Sequence, residues 1–269
     1  MKVMGILNAT PDSFFAASRT GPEEAAERAL SMERAGADIL DIGGESTRPG
    51  TAYVDEQTEM ARVIPVIRAI RKSGCQLPLS VDTRKFSVAQ AAWKEGATWV
   101  NDVSALQDDP RLADFVAESG MNVILMHAIG TPKTMQLSPQ YTDVVQQVCD
   151  FLGKAVDRAL ATGISATRIV VDPGIGFGKT KDHNIALIQA LPQIKSLGFP
   201  VLVGLSRKSL IGDLLKVQPE DRLAGSLAGA LACLVRGADL IRVHDVPETV
   251  GALTVFQALT KGAGSWTGF

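Results

Sequence analysis

Hydrophobic and polar positions alternate along this chain in a regular way. Short runs rich in β-branched and other apolar residues recur at Val3–Leu7, Asp38–Ile42, Leu79–Val81, Trp99–Val100, Asn122–Met126, Arg168–Val171, Val201–Val203 and Leu240–Val243. Between them lie longer segments with helical periodicity, such as Pro22–Ala35, Asp55–Lys72, Phe86–Lys94, Tyr141–Ala161 and Glu220–Val235. Several of the short runs are apolar on both faces, as strands are when helices cover both sides of a parallel sheet. Ala35-Gly36-Ala37, Glu95-Gly96-Ala97, Ser119-Gly120, Leu197-Gly198 and Arg236-Gly237-Ala238 each put a glycine between a helix and the next strand. Glycine tolerates the left-handed backbone that ends a helix, so these are stop signals with a mechanism.

Eight strand-then-helix units follow one another without a linker, repeat array or low-complexity stretch. The pattern predicts one domain over residues 1–269, an α/β fold closed as a (β/α)8 TIM barrel. An open doubly wound sheet is the alternative, because strand order is not written in a single sequence. Polar residues gather just after the strands: Asn8, Glu45-Ser46-Thr47-Arg48, Asp82, Asn101-Asp102, His127, Asp172, Ser206-Arg207-Lys208 and Arg242-Val243-His244-Asp245. All strand C-termini of a parallel barrel open on one face, so these groups are expected to converge there as an active site.

Composition narrows the function. Of 269 residues, 46% are apolar and 21% charged, an ordinary globular balance. The formal charge of −2 provides no general field for nucleic acid or an anionic membrane, so neither is expected as a partner. Cys75, Cys149 and Cys233 lack metal-ligand or redox spacing and read as neutral thiols in a reducing compartment. The N-terminal apolar run is broken at Asn8, Pro11 and Asp12 before it could form a signal core, and Leu223–Val235 is too short to cross a bilayer. A cytoplasmic protein is the expectation.

Arg48, Arg207, Lys208, Arg242 and His244 form a basic cluster after strands two, seven and eight. A unit cation about 4 Å from a unit anion gains roughly 4 kcal/mol at an effective dielectric of 20, before desolvation. Several cations at one spot therefore imply a multiply charged ligand such as a phosphate chain. Asp82, Asn101 and Asp172 follow strands three, four and six, where carboxylates and an amide can pair with a flat heterocycle. Asn8 could ligate Mg²⁺ through its amide oxygen, since that ion takes oxygen donors and shares substrate phosphates. Phe14 and Phe15 lie in a polar first loop and suit a lid. His127 and His183 read as structural. Asp172-Pro-Gly-Ile-Gly-Phe-Gly-Lys-Thr180 approaches a phosphate-binding loop, but Pro173 occupies a position that motif needs as glycine. The following Lys181-Asp182-His183 does not read as an apolar helix start, so a glycine-rich loop presenting Phe177 over a ligand suits the segment better.

Met4-Gly-Ile-Leu-Asn-Ala-Thr-Pro-Asp-Ser-Phe14, Gly43-Gly-Glu-Ser-Thr-Arg-Pro-Gly50, Ser80-Val-Asp-Thr83, Asn101-Asp102, Leu125-Met-His127, Asp172-Pro-Gly-Ile-Gly-Phe-Gly-Lys179, Ser206-Arg-Lys-Ser209 and Arg242-Val-His244 together resemble the signature segments of dihydropteroate synthases, in that family's order. The resemblance implies condensation of 6-hydroxymethyl-7,8-dihydropterin diphosphate with 4-aminobenzoate, with loss of pyrophosphate. It implies that Asp82, Asn101, Asp172 and Lys208 hold the pterin, and that Asn8, Thr47, Arg48, Arg242 and His244 hold the pyrophosphate, with Mg²⁺ at Asn8. Phe14, Thr47, Pro49, Phe177 and Ser206 would border the 4-aminobenzoate pocket, and Lys208, Arg242 and Asp172 would carry catalysis. It also implies a homodimer and a sulfonamide target.

Two departures stand out. The family's first loop usually continues Asp-Ser-Phe-Ser-Asp-Gly-Gly, whereas Phe15-Ala16-Ala17-Ser18 follow Phe14 here, with Ala16 in place of an acidic residue that helps organise the cationic intermediate and metal. The chain starts at the first strand, so the N-terminal hairpin that often plugs the barrel base is expected to be absent or truncated. The competing functions are a pterin-binding homologue impaired in catalysis and a methyltetrahydrofolate-binding methyltransferase. The basic cluster argues against the latter, which has no pyrophosphate to hold.

Overall fold

Strand β1 (Lys2–Asn8) pairs in parallel with β2 (Ile39–Gly43) on one side and with β8 (Leu240–Val243) on the other. That double engagement sets the first and last strands side by side. The computed structural model describes residues 1–9, 21–46, 50–130, 134–135 and 139–260. Phe14, Phe15, Ala16, Ala17, Thr47, Arg48 and Pro49 lie outside the described residues. The remaining strands are β3 (Leu79–Asp82), β4 (Trp99–Asp102), β5 (Asn122–Met126), β6 (Ile169–Asp172) and β7 (Leu202–Gly204), in the order β6-β5-β4-β3-β2-β1-β8-β7. A lone parallel bridge between Val171 and Val201 joins β6 to β7 and completes the circle. The fold is therefore the (β/α)8 barrel, and the open doubly wound alternative is set aside.

Ten α-helices are described: α1 (Pro22–Arg34), α2 (Glu56–Lys72), α3 (Phe86–Lys94), α4 (Pro110–Ser119), α5 (Val144–Ala161), α6 (Lys181–Gln189), α7 (Leu191–Lys195), α8 (Ser209–Leu215), α9 (Leu223–Val235) and α10 (Val246–Thr260). Their starts follow from capping chemistry. The Asp55 and Asp143 carboxylates accept from the backbone N–H of Thr58 and Gln146 at 2.9 and 3.0 Å, so α5 begins at Val144 rather than Tyr141. Lys181-Asp182-His183 is a helix start after all. Thr180 and His183 bond each other's backbone N–H groups reciprocally, a capping box that uses imidazole in place of the usual Glu or Gln. The five stop glycines, Gly36, Gly96, Gly120, Gly198 and Gly237, all have left-handed backbone, with φ from 71° to 95°.

Two cores hold the barrel. The larger lies between strands and helices, while Met4, Ile39, Ile124, Val170, Leu202 and Leu240 form a smaller cluster inside the barrel, with Trp99 against it. Side chains of a strand return to the same face every second residue. Two positions beyond Ile39, Trp99, Val170 and Leu240 stand Asp41, Asn101, Asp172 and Arg242. The barrel interior is thus greasy at its base and polar at the C-terminal mouth. Asp82, Asn101, Asp172 and Arg242, read as following the strands or at their ends, are in fact inward-facing members of them.

Candidate active site

Arg242 crosses the mouth. Its Nε donates to Asp41 Oδ2 at 2.6 Å and its Nη2 to Asp82 Oδ2 at 2.9 Å. Asp41 is fully buried, and the same Oδ2 accepts from Asn101 Nδ2 at 2.9 Å. Burial pushes the Asp82 carboxyl up to about 7, although the Arg242 guanidinium works the other way. Asp41 is the residue that reading only the strand ends missed. An acid inside an otherwise apolar strand, two positions after Ile39, was the available signal.

Asp172 ends β6 and is buried; its Oδ1 accepts from Gly174 N at 2.7 Å. Burial raises its carboxyl above the usual range, and the nearby Lys208 ammonium opposes that. Lys208 reaches back across the mouth. Its Nζ donates to Ile175 O and lies 4.6 Å from the centroid of the Phe177 ring. Burial lowers its ammonium to about 8, against the pull of Asp172. Asp82, Asn101, Asp172, Lys208, Arg242 and Phe177 therefore share one mouth. A cleft of about 170 Å³ opens beside them, lined in part by Asp82, Val103, Ser104, Phe151 and Phe177.

The glycine-rich loop is folded around its own lysine. Lys179 Nζ donates to Gly174 O and Phe177 O at 2.9 Å each and meets His127 Nδ1 at 2.9 Å. Burial lowers Lys179 to about 7 and His127 to about 3, so His127 is a neutral acceptor. A lysine consumed inside its loop cannot reach a nucleotide phosphate, which disposes of the phosphate-loop reading. Gly174 has φ +68°, and a Cβ there would stand 1.9 Å from His127 O. Gly174→Ala is accordingly expected to cost at least about 2 kcal/mol from left-handed strain and backbone overlap. A melting temperature equal to that of the wild type would contradict this packing.

The basic cluster is smaller than the sequence suggested. Arg207, itself at φ 56°, turns its guanidinium onto both oxygens of Asp245, each at 2.8 Å, and onto the carbonyls of Pro219 and Glu220. It holds the loop after β7 rather than a ligand. Ser206 Oγ and His244 Nδ1 lie 3.1 Å apart, side by side beyond β7 and β8. Asn8 ends β1, half-buried, opposite Gly43 of β2. Asp102 points away from the mouth; its two oxygens take N–H groups from Ser104 and Leu106 and hold left-handed backbone at Ala105 and Leu106. Glu45 also serves structure, in a network where Lys85 bridges it to buried Glu59 and Arg84 links it to Asp108.

A closed parallel barrel with carboxylates, an amide and cations gathered at its C-terminal mouth has the build of a (β/α)8 enzyme. The pterin binding enzyme family matches residues 4–244, from β1 to the histidine after β8. The chain is 46% identical over 257 residues to the dihydropteroate synthase of Escherichia coli strain K12, covering 95% of this chain and 90% of that one. Among solved structures it resembles the dihydropteroate synthase of Xanthomonas albilineans with 4-aminobenzoic acid, at 47% identity and a TM-score of 0.90, over 96% of this chain and 92% of that one. The Yersinia pestis dihydropteroate synthase with a sulfonamide drug is similar at 44% identity and the same TM-score of 0.90, over 96% and 94%. This chain belongs to the dihydropteroate synthases of the pterin binding enzyme family.

Proposed function

We propose that the chain joins 4-aminobenzoate to 6-hydroxymethyl-7,8-dihydropterin diphosphate in folate biosynthesis, giving 7,8-dihydropteroate and pyrophosphate. The observation that carries this is the juxtaposition, in one barrel mouth, of Asp82, Asn101 and Asp172 with Arg242 and Lys208. In this reading Asp82, Asn101, Asp172 and Lys208 hold the pterin ring. Arg242 and His244, with Asn8, Thr47 and Arg48, hold the diphosphate, while Phe177 and Ser206, with Phe14, Thr47 and Pro49, border the aminobenzoate.

The amine nitrogen attacks the methylene carbon, the carbon–oxygen bond breaks with its electron pair going to pyrophosphate, and the new secondary amine sheds one proton to solvent. Negative charge grows on the leaving group and positive charge on the pterin-bearing carbon. Cations fixed at the first and carboxylates near the second oppose those charges where they develop. Holding both substrates in line supplies the proximity contribution, and no enzyme nucleophile is required.

Mg²⁺ belongs to the same proposal. Among the described residues no three His, Cys, Asp or Glu side chains converge to hold a metal. The amide oxygen of Asn8 is one neutral donor, a set that fits Mg²⁺ only where diphosphate oxygens and water complete the shell, as that ion commonly allows. Bound there it would supply charge neutralisation of the departing diphosphate.

A homodimer is supported by α9, which is apolar around its circumference yet buries only Ser226, Ala230 and Cys233; such helices are ordinarily covered. Exposed Leu214, Leu215, Val235, Val255 and Leu259 on α8, α9 and α10 add apolar surface. A cytoplasmic location suits three buried, unpaired cysteines, and no described helix is long and apolar enough to cross a membrane. Sulfonamide sensitivity follows if the aminobenzoate pocket is as proposed.

With Mg²⁺ present, purified protein is expected to release pyrophosphate from the pterin diphosphate only when 4-aminobenzoate is added. Pterin binding without turnover would make it a binding protein instead, and no pterin binding at all would overturn the reading.

A further inference from the structure

Asp41 sits where the barrel interior changes from apolar to polar, with none of its surface exposed. One of its oxygens, Oδ2, accepts from two residues assigned to different halves of the proposed site. Arg242 Nε, on the diphosphate side, is 2.6 Å away, and Asn101 Nδ2, on the pterin side, is 2.9 Å away. An ionised carboxylate only accepts, so this contact decides which way round the Asn101 amide stands. Its nitrogen faces Asp41 and its carbonyl oxygen faces away. Asn101 Oδ1 is buried and has no hydrogen-bond partner within the protein. Native structures rarely leave such an acceptor unpaired, and those that do call for an explanation.

We propose that Asp41 is a positioning residue for both halves of the site at once. It presents the Asn101 carbonyl oxygen to an N–H donor of the heterocycle, and it fixes one edge of the Arg242 guanidinium so that the other edge addresses the diphosphate. The proposal rests on the functional reading above. It sharpens the substrate class: the ring must offer a donor, not a bare acceptor, to Asn101. A carboxylate suits the task better than an amide. An amide at position 41 could turn its own NH₂ toward Asn101 or Arg242, and it would bring no charge to the guanidinium.

The test uses full-length Asp41→Asn, Asn101→Ala and Arg242→Lys, each checked by thermal unfolding. The probes are 7,8-dihydropteroate, which lacks the diphosphate, and inorganic pyrophosphate with Mg²⁺. Asn101→Ala is expected to weaken dihydropteroate alone and Arg242→Lys mainly pyrophosphate. Asp41→Asn should weaken both by tenfold or more, with the KM for 4-aminobenzoate changed less than twofold. A purely structural Asp41 would lower the melting temperature and leave both affinities in place, and wild-type affinity for either probe in folded Asp41→Asn overturns the proposal. If Asp41→Asn does not fold, Asp41→Glu puts the question with the charge kept. The longer side chain moves the carboxylate off both partners, so both affinities must again fall tenfold or more, and wild-type affinity for either probe in folded Asp41→Glu also overturns the proposal. Wild-type protein that binds neither probe defeats the functional reading itself, a separate outcome.

Discussion

Arg242→Leu is expected to destabilise the protein by about 3–5 kcal/mol at pH 8 and by markedly less at pH 5. The guanidinium bonds Asp41 and Asp82, both removed from water, and leucine leaves two buried carboxylates facing each other. Burial already raises Asp82 to about 7, with Asp41 adding to the rise and Arg242 opposing it. An unfolded aspartate titrates near 3.9. Between those values the folded state holds more protons than the unfolded one. The stability linked to Asp82 is therefore full below about pH 4 and is lost as pH rises through about 7. Deleting the main opposing charge moves the folded value higher, so the loss extends further into the alkaline range. Thermal unfolding of both proteins at pH 5 and pH 8 reads the difference directly, and equal deficits at the two pH values would show that the ion pair is not what holds these carboxylates.

Asp172→Asn is expected to separate binding from folding. Two hydrogen bonds from a heterocycle to a charged group are worth roughly 1.5–3 kcal/mol each, so pterin affinity should fall about a hundredfold or more. Stability should hold or rise. The folded carboxyl is raised above its unfolded value, chiefly by burial, so its favourable contribution is present at low pH and is lost as pH rises through the folded value. Above that value the ionised group is a cost to the fold. An amide removes that cost and keeps an oxygen for the Gly174 N–H. Fluorescence titration with a pterin and a melting curve decide it: undiminished affinity would place the ring elsewhere.

Strand positions and the barrel were legible because burial on both faces and glycine stops leave strong marks. Boundaries were less so. The strand runs were ended at the last apolar residue, whereas β3, β4 and β6 continue through Asp82, Asp102 and Asp172. Hydrophobicity cannot register a polar side chain that faces a wet barrel mouth. Helix α4, ten residues long, buries only Leu112, Phe115 and Val116, too few to set a period. At the site, residue type could nominate Arg207 and Lys208 alike, but only the fold reveals Asp245 beside the first and an open mouth beside the second. Asp41 carried only one local mark, an acid inside an apolar strand. Its partners lie 60 and 201 residues away, and nothing local in β2 announces them.

Neighbouring strands elsewhere in the barrel share three to five register pairs, while β6 and β7 are stitched by the Val171–Val201 bridge alone. Asp172 stands on one lip of that half-sewn seam, and Lys208 follows the other. Backbone amides along this line should exchange with solvent sooner than those of the remaining walls. A heterocycle gripped from both lips would then act as a suture, so that the thinnest part of the wall is also the part its ligand mends.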